Sequence, residues 1–136
     1  MSTADNLAKL KSAYGEWDSS KGGNTKVWLD LASRDLKLHS LGGDTPALQF
    51  AQPHGGELLV SYLEKLQETW EMNYVRPDTF VADGNHVAMF GTASWNFRAN
   101  GNTVTTPLAH LWRFEDGKVV DFRELFDSAT IVGATT

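Results

Sequence analysis

Residues 112–127 read WRFEDGKVVDFRELFD, and the fold can be worked out from this segment. Alternating apolar segments lie on either side of Asp116-Gly117. An Asp-Gly dipeptide between such segments is typical of a tight β-hairpin, because its two central residues adopt positive φ. The same signal recurs upstream at Asp83-Gly84 and, as Asn-Gly, at Asn100-Gly101. The sequence therefore predicts a meander of four strands, at about Met72–Ala82, His86–Arg98, Thr103–Phe114 and Lys118–Phe126.

The chain before this meander shows helical periodicity. One apolar stripe at helical spacing is formed by Leu7, Leu10, Tyr14 and Trp17. A longer stripe extends from Leu58 to Trp70, and Asn24 is placed to cap a short helix between the two. Alternation over Leu36–Leu41 predicts a short strand. We therefore expect an α+β fold in which a curved antiparallel sheet wraps on three N-terminal helices and forms a conical pocket.

The composition excludes several classes of protein. The chain has 136 residues, the length of one domain, so residues 1–136 are taken as a single unit. Seventeen acidic residues against twelve Lys and Arg give a formal charge of −5, which disfavours nucleic acid and anionic membranes as partners. The absence of cysteine excludes disulfides and thiolate chemistry. No signal peptide or membrane helix is visible, so a cytoplasmic protein is expected.

The sequence contains no recognisable motif for a metal or a nucleotide. The four histidines are scattered and none belongs to a motif with metal-ligand spacing. The pairs Gly42-Gly43 and Gly55-Gly56 lack the Lys and the strand–helix context of a phosphate-binding loop. We therefore expect a protein that works without a metal or a cofactor.

The strand at 103–114 indicates which side of the sheet faces the helices. Its large rings occupy the even positions, so we predict an inward face of Val104, Thr106, Leu108, His110, Trp112 and Phe114. In the last strand, the more apolar face consists of Val120, Phe122, Glu124 and Phe126. Glu124 is therefore a candidate buried carboxylate. A shift of one residue in the hairpin register would bring Arg123 inward instead.

Together, the helices, the meander and the segment 112–127 resemble the nuclear-transport-factor-2-like superfamily, which has a cystatin-like α+β fold. The resemblance points to its SnoaL-like and ketosteroid-isomerase-like branch. Tyr14-x-x-Trp17 and the segment LASRDLKLH at Leu31–His39 also match, and the likeness covers about residues 3–130. It implies a homodimer formed through the outer face of the sheet, where we expect Pro107, Ala109 and Leu111.

The resemblance also suggests where a site would lie. Ketosteroid isomerases place a carboxylate base at the end of the first strand, an acid in the third long strand and a tyrosine in the first helix. The matching positions here hold His39, His110 and Tyr14. Two of these three depart from the pattern, both to histidine, which is the commonest general acid and base. We expect these residues to converge in one pocket with Glu124 as a fourth candidate. The expected pocket wall consists of Trp17, Trp70, Trp95, Trp112 and Phe122.

Three functions fit this pattern. The first is an enzyme that moves protons on an apolar carbonyl compound, as an isomerase or a polyketide-cyclase-like protein. The second is a non-catalytic module that binds an apolar small molecule in the same pocket. The third is an epoxide hydrolase or dehydratase, which ranks last because the hydrolase needs an Asp-Arg-Asp set. Asp121 and Arg123 are expected on the outer face, away from the pocket.

Overall fold

The computed structural model describes residues 2–40 and 56–136. The helices are α1 (Thr3–Ser19), α2 (Lys26–Leu31), α3 (Gly56–Thr69) and α4 (Ser128–Ala134). The strands are β1 (Ala32–Ser40), β2 (Trp70–Asp83), β3 (His86–Phe97), β4 (Thr103–Glu115) and β5 (Lys118–Phe126). They form one sheet in the order β1-β5-β4-β3-β2, in which β1 runs parallel to β5 and the other pairs are antiparallel. The predicted α+β fold, with a meander packed on three preceding helices, is confirmed.

Helix α1 begins with a reciprocal cap and presents its apolar stripe to the sheet. The Ser2 side chain accepts a hydrogen bond from the Asp5 backbone N–H, and the Asp5 carboxylate accepts one from the Ser2 backbone N–H. The stripe buries Leu10, Tyr14 and Trp17, each at most 5% exposed. Burying this face supplies most of the energy that holds the helix on the sheet, because isolated helices of this length are marginal in water.

Two details at the ends of elements differ from the prediction. Asn24 does not cap α2, because its amide donates to Glu16 Oε2 instead and the cap position is taken by Thr25. The additional helix α4 was not predicted. Asp127 caps its N-terminus, because the Asp127 side chain accepts a hydrogen bond from the Thr130 N–H. Ile131 holds the helix in place by packing with Trp70 and Val104 in a second apolar cluster.

The neighbouring strands β2 and β3 approach each other closely at Gly91. A bulge interrupts the pairing of β2 between Pro77 and Thr79, and Gly91 lies opposite Pro77. A Cβ atom at Gly91 would lie 2.2 Å from the Arg76 carbonyl oxygen, so only glycine permits this close approach of the two strands. A bulge bends the strand that carries it, so this irregularity contributes to the curvature of the sheet.

The alternation predicted for β4 is confirmed, and that of β5 needs one correction. All six even positions of β4 from Val104 to Phe114 are buried. In β5, Phe122 is buried and Glu124 faces inward with it, but Val119 rather than Val120 lies in the core. The reason is a bulge beside the Asp-Gly turn: Phe114 pairs with Val119, Arg113 pairs with Asp121, and Val120 is the extra residue.

Candidate active site

A cavity of about 120 Å³ lies between the concave face of the sheet and helices α1 to α3. Its wall is mainly aromatic and aliphatic, and all five tryptophans of the chain contribute to it: Trp17, Trp28, Trp70, Trp95 and Trp112. The described part of the wall also has a few polar side chains: Tyr14, Tyr62, Thr106, His110 and Glu124. Apart from Thr106, these polar groups are joined in one hydrogen-bonded cluster.

The cluster connects two helices and two strands through four hydrogen bonds. The Trp112 indole Nε1–H donates to the Tyr14 oxygen at 2.9 Å, and the Tyr14 hydroxyl lies 2.5 Å from His110 Nδ1. His110 Nε2 lies 2.8 Å from Glu124 Oε2, and the Tyr62 hydroxyl donates to Glu124 Oε1 at 3.1 Å. Tyr14 comes from α1, Tyr62 from α3, His110 and Trp112 from β4, and Glu124 from β5. We call these five residues the relay.

The strand register explains why the relay forms. His110 and Trp112 stand two residues apart on the inward face of β4, and β5 places Glu124 directly opposite His110. Tyr14 lies on the buried stripe of α1 and reaches the same point from the helix side. The side chains of His110 and Glu124 are 8% and 13% exposed, so their hydrogen bonds act where water screens them little.

Burial also determines the protonation of the two tyrosines. Burial raises the pKa of Tyr14 well above its ordinary value of 10.0, and the charge of Glu124 raises it further against an opposing effect of the Trp112 hydrogen bond. The pKa of Tyr62 is raised in the same way by burial, by the charge of Glu124 and by the hydrogen bond to that carboxylate. Both hydroxyls therefore remain proton donors at any physiological pH.

An alkaline titration is expected to show these raised values. The unfolded chain ionises Tyr14 and Tyr62 near pH 10.0, whereas the folded chain resists their ionisation. Their contribution to stability is thus complete below that pH and is lost as the pH rises toward the folded values. Tyrosinate absorbance, recorded with circular dichroism, should show both hydroxyls ionising only as the chain unfolds. Ionisation of both near pH 10.0 in a native chain would contradict the burial of the relay.

The structure brings together three of the four candidate catalytic residues. Tyr14, His110 and Glu124 are members of the relay, but His39 does not join them. Leu36 and Leu38 of β1 line the cavity, so the neighbouring His39 points to the outer face, where its side chain is 42% exposed and lies 3.8 Å from Asp121. The prediction that His39 converges with the other three candidates in one pocket is therefore wrong.

The five residues expected in the pocket wall, namely Trp17, Trp70, Trp95, Trp112 and Phe122, all line the cavity. Two further wall residues, Trp28 and Tyr62, were not singled out. Tyr62 sits on the apolar stripe of α3, and periodicity alone does not show that its hydroxyl reaches a carboxylate on β5. Trp28 stacks on Trp112 with ring centroids 5.2 Å apart, a contact between elements far apart in sequence.

Other types of site find no support in the part of the chain that the structure describes. In residues 2–40 and 56–136, no three His, Asp or Glu side chains are grouped as metal ligands. Within the same ranges, no helix is long and apolar enough to cross a membrane. Arg123 Nε lies 3.3 Å from Asp121 Oδ1 on the outer face of the sheet. The carboxylate and guanidinium groups that an epoxide hydrolase would need therefore lie away from the cavity.

Comparison with known proteins gives a family and a fold. A family model described as the SnoaL-like domain matches residues 16–122. A comparison with curated protein sequences gives no significant match. Among solved structures, an NTF2-like protein of Burkholderia xenovorans is 26% identical, with a TM-score of 0.81 over 100% of this chain and 99% of that one. An NTF2-like protein of unknown function from Burkholderia pseudomallei is 23% identical, with a TM-score of 0.85 over 97% of this chain and 98% of that one. An LEH-like epoxide hydrolase of M. tuberculosis is 14% identical, with a TM-score of 0.72 over 96% of this chain and 89% of that one.

Proposed function

The chain belongs to the SnoaL-like domain family, and from this premise we propose that it is an enzyme that moves protons on a compact, apolar carbonyl compound. The observation that supports the proposal is the position of Glu124. Its carboxylate faces an aromatic cavity and is held from behind by His110 and Tyr62. A positioned carboxylate in such surroundings is a common general base, and general-base catalysis contributes about 10²- to 10⁴-fold to a rate.

The proposed step begins with transfer of a proton from the carbon next to the carbonyl group to Glu124. The C–H electron pair moves into the substrate to form an enolate, and the protonated Glu124 returns the proton to the same or another carbon. Tyr62 lines the cavity and donates its one hydroxyl proton to Glu124 Oε1 before the reaction. Once Glu124 has taken the substrate proton and is neutral, we assign this hydroxyl as the donor to the enolate oxygen, to which it turns from the carboxyl group. The loss of one such donor costs about 3–4 kcal/mol in known oxyanion sites.

The cavity limits the size and charge of the substrate. An engineered protein cavity of about 150 Å³ binds benzene, and the cavity here measures about 120 Å³. A substrate with one six-membered ring is therefore the expected size. Glu124 is the one carboxylate in the described wall, and no Lys or Arg lies there. A neutral ketone fits this wall better than an anion, whose charge would stand near Glu124 with no basic side chain to balance it.

A small cyclic ketone tests the proposal. The β,γ-unsaturated cyclohexenone has one ring and becomes a conjugated, ultraviolet-absorbing enone when a proton moves from the α to the γ carbon. We expect saturable formation of the conjugated enone, inhibited by phenol as a planar mimic of the enol. If phenol binds but neither this ketone nor other one-ring ketones are turned over, the cavity is a binding site and not a catalytic one.

A binding module is the second candidate, and one observation favours it. The donors and acceptors of the relay are already paired with one another, so an apolar ligand could be held by burial alone. The two candidates differ in their dependence on the carboxylate. A binding module retains its affinity for phenol and has no activity to lose when Glu124 is replaced by Gln, whereas the enzyme retains phenol binding and loses turnover.

We also propose that the outer face of the sheet forms a homodimer. Phe90, Leu111 and Leu125 on this face are 51%, 39% and 57% exposed, which is unusual for large apolar side chains grouped on one surface. Light scattering of the purified protein at micromolar concentration is expected to give twice the mass of one chain. Leu125→Asp should lower it to a single chain, since a carboxylate would be buried at the contact. A wild-type monomer would remove the proposal.

A further inference from the structure

We infer that Tyr14 and Trp112 are positioning residues, which keep His110 Nδ1 as an acceptor and the ring proton on Nε2, and so leave Glu124 as the proton acceptor of the site. The inference rests on the proposed function for its catalytic consequence, but the position of the proton is measurable without any substrate. It follows from the number of donors and acceptors in the relay and from the distances between them.

The relay has a direction because its first member can only donate. The indole Nε1–H of Trp112 has no acceptor capacity, so the Tyr14 oxygen must accept this bond. Two rings hold Trp112 in this orientation: Trp28 stacks on it with ring centroids 5.2 Å apart, and Phe122 packs against it at a tilt with centroids 4.2 Å apart. The Tyr14 hydroxyl proton is then directed to its remaining partner, His110 Nδ1.

The other end of the relay requires the same assignment. Glu124 accepts from Tyr62 through Oε1 and faces His110 Nε2 at 2.8 Å through Oε2. With the proton on Nε2, Nδ1 accepts from Tyr14 and Nε2 donates to the carboxylate, so every bond of the relay joins a donor to an acceptor. Both ends therefore agree on the Nε2–H form.

The opposite tautomer leaves two defects. A proton on Nδ1 would donate to the Tyr14 oxygen, and the Tyr14 hydroxyl proton would lose the acceptor it has among the described residues. The bare Nε2 would then face a carboxylate oxygen at 2.8 Å with no proton between them. Tyr14 is 1% exposed, so water does not readily repair the first defect.

The catalytic consequence concerns how Glu124 is held. The Nε2–H bond fixes the carboxylate and stabilises its charge while one face of it remains toward the cavity. When the proton can move to Nδ1, this support is lost in part of the molecules. Neutralising a charged tautomer-fixing partner in serine proteases costs about 10⁴-fold in kcat. Tyr14 is a neutral partner, so the loss expected for Tyr14→Phe is smaller, about 10- to 100-fold.

The test is the side-chain ¹⁵N spectrum of the full chain. Long-range proton–nitrogen correlations distinguish a protonated ring nitrogen from a bare one, and the His110 signals are those that disappear in His110→Gln. We expect His110 to show Nε2 protonated and Nδ1 bare in the wild type. Because Glu124 still favours a proton on Nε2 in Tyr14→Phe, this variant should move both nitrogens only part of the way toward values averaged over the two tautomers. Trp112→Phe should cause a smaller shift in the same direction.

Tyr74→Phe is the matched control, because it removes a tyrosine hydroxyl outside the described cavity wall. It should leave the His110 signals and turnover unchanged. A wild-type His110 with its proton on Nδ1, or unchanged His110 signals in both folded Tyr14→Phe and folded Trp112→Phe, would overturn the inference. If the tautomer behaves as expected but no ketone is turned over, the inference is supported and the proposed function fails.

Discussion

Glu124→Gln is expected to lower kcat/KM for proton transfer by about 10²- to 10⁴-fold, the contribution of a general base. Glutamine has nearly the same shape but cannot accept a proton from carbon. It also has one acceptor oxygen instead of two, so its NH₂ group must face either the Tyr62 hydroxyl or His110 Nε2–H, both of which donate to the carboxylate in the wild type. The resulting unpaired group should cost about 1–3 kcal/mol of stability. Turnover of the β,γ-unsaturated cyclohexenone, with a thermal melt of each variant, measures both effects.

Two replacements on the outer face are the controls for this variant. Asp121→Asn makes the same carboxylate-to-amide change on the same strand, but on the side away from the cavity. His39→Ala removes the histidine that the resemblance had matched to the catalytic base. Both should leave kcat/KM within about twofold of the wild type, as expected of groups outside a site. Equal losses in Glu124→Gln and Asp121→Asn would show that the defect is general, and full activity in Glu124→Gln would remove Glu124 as the base.

Gly91→Ala is expected to lower the free energy of unfolding by about 3 kcal/mol, the upper end of the range for overpacking. The added methyl group would lie 2.2 Å from the Arg76 carbonyl oxygen and 3.0 Å from both the Arg76 carbonyl carbon and Pro77 Cα, all closer than ordinary van der Waals contact. Because the obstacle is backbone, no side-chain rotation can relieve it. One of the two strands must move, and the pairing of β2 with β3 around Pro77 is disturbed with it.

Gly15→Ala makes the same chemical change where there is room. Gly15 lies inside α1 and a Cβ there meets nothing within 4 Å, so alanine should stabilise the protein by about 0.5–1 kcal/mol through its higher helix propensity. Urea unfolding should therefore show a lower free energy of unfolding for Gly91→Ala and a higher one for Gly15→Ala than for the wild type. A Gly91→Ala variant as stable as the wild type would show that the close approach of β2 and β3 is not a requirement of the fold.

The meander was predictable because its signals are local. Alternation along β4 puts His110 and Trp112 on the buried face, and the Asp116-Gly117 turn adopts positive φ at both positions, as a tight hairpin requires. The more apolar face of β5 favours Glu124 on the same inward side as His110, with Arg123 as the alternative, and the structure places Glu124 there. The extra residue in the bulge beside the turn changes only the position of Val120.

His39 shows why a matched motif position is weaker evidence than local periodicity. Alternation in β1 already separates His39 from Leu36 and Leu38, the residues that line the cavity. Matching the chain to ketosteroid isomerases instead placed His39 at the catalytic base. The motif match gives only the position of His39 along the chain, whereas the face on which its side chain lies is set by the two-residue period of the strand.

The contacts across the cavity were beyond prediction from sequence. Tyr62 and Glu124 are separated by 62 positions and Tyr14 and Trp112 by 98, and each pair meets only because a helix packs at a particular angle on a curved sheet. Periodicity places such residues on a buried face without giving their partners. The relay therefore emerged from the structure, although four of its five members had been named as candidates.

Exchange of the α hydrogens of one-ring ketones in D₂O tests most directly whether Glu124 is a base in this cavity. The elementary step is removal of a proton from carbon, so exchange reports it whatever product the natural reaction yields. Over a panel of cyclic ketones, the wild type should catalyse deuterium uptake that phenol inhibits, and Glu124→Gln should reduce the rate by about 10²-fold or more. Phenol binding without exchange of any ketone, or equal exchange by the wild type and Glu124→Gln, would contradict the role of Glu124 as a base.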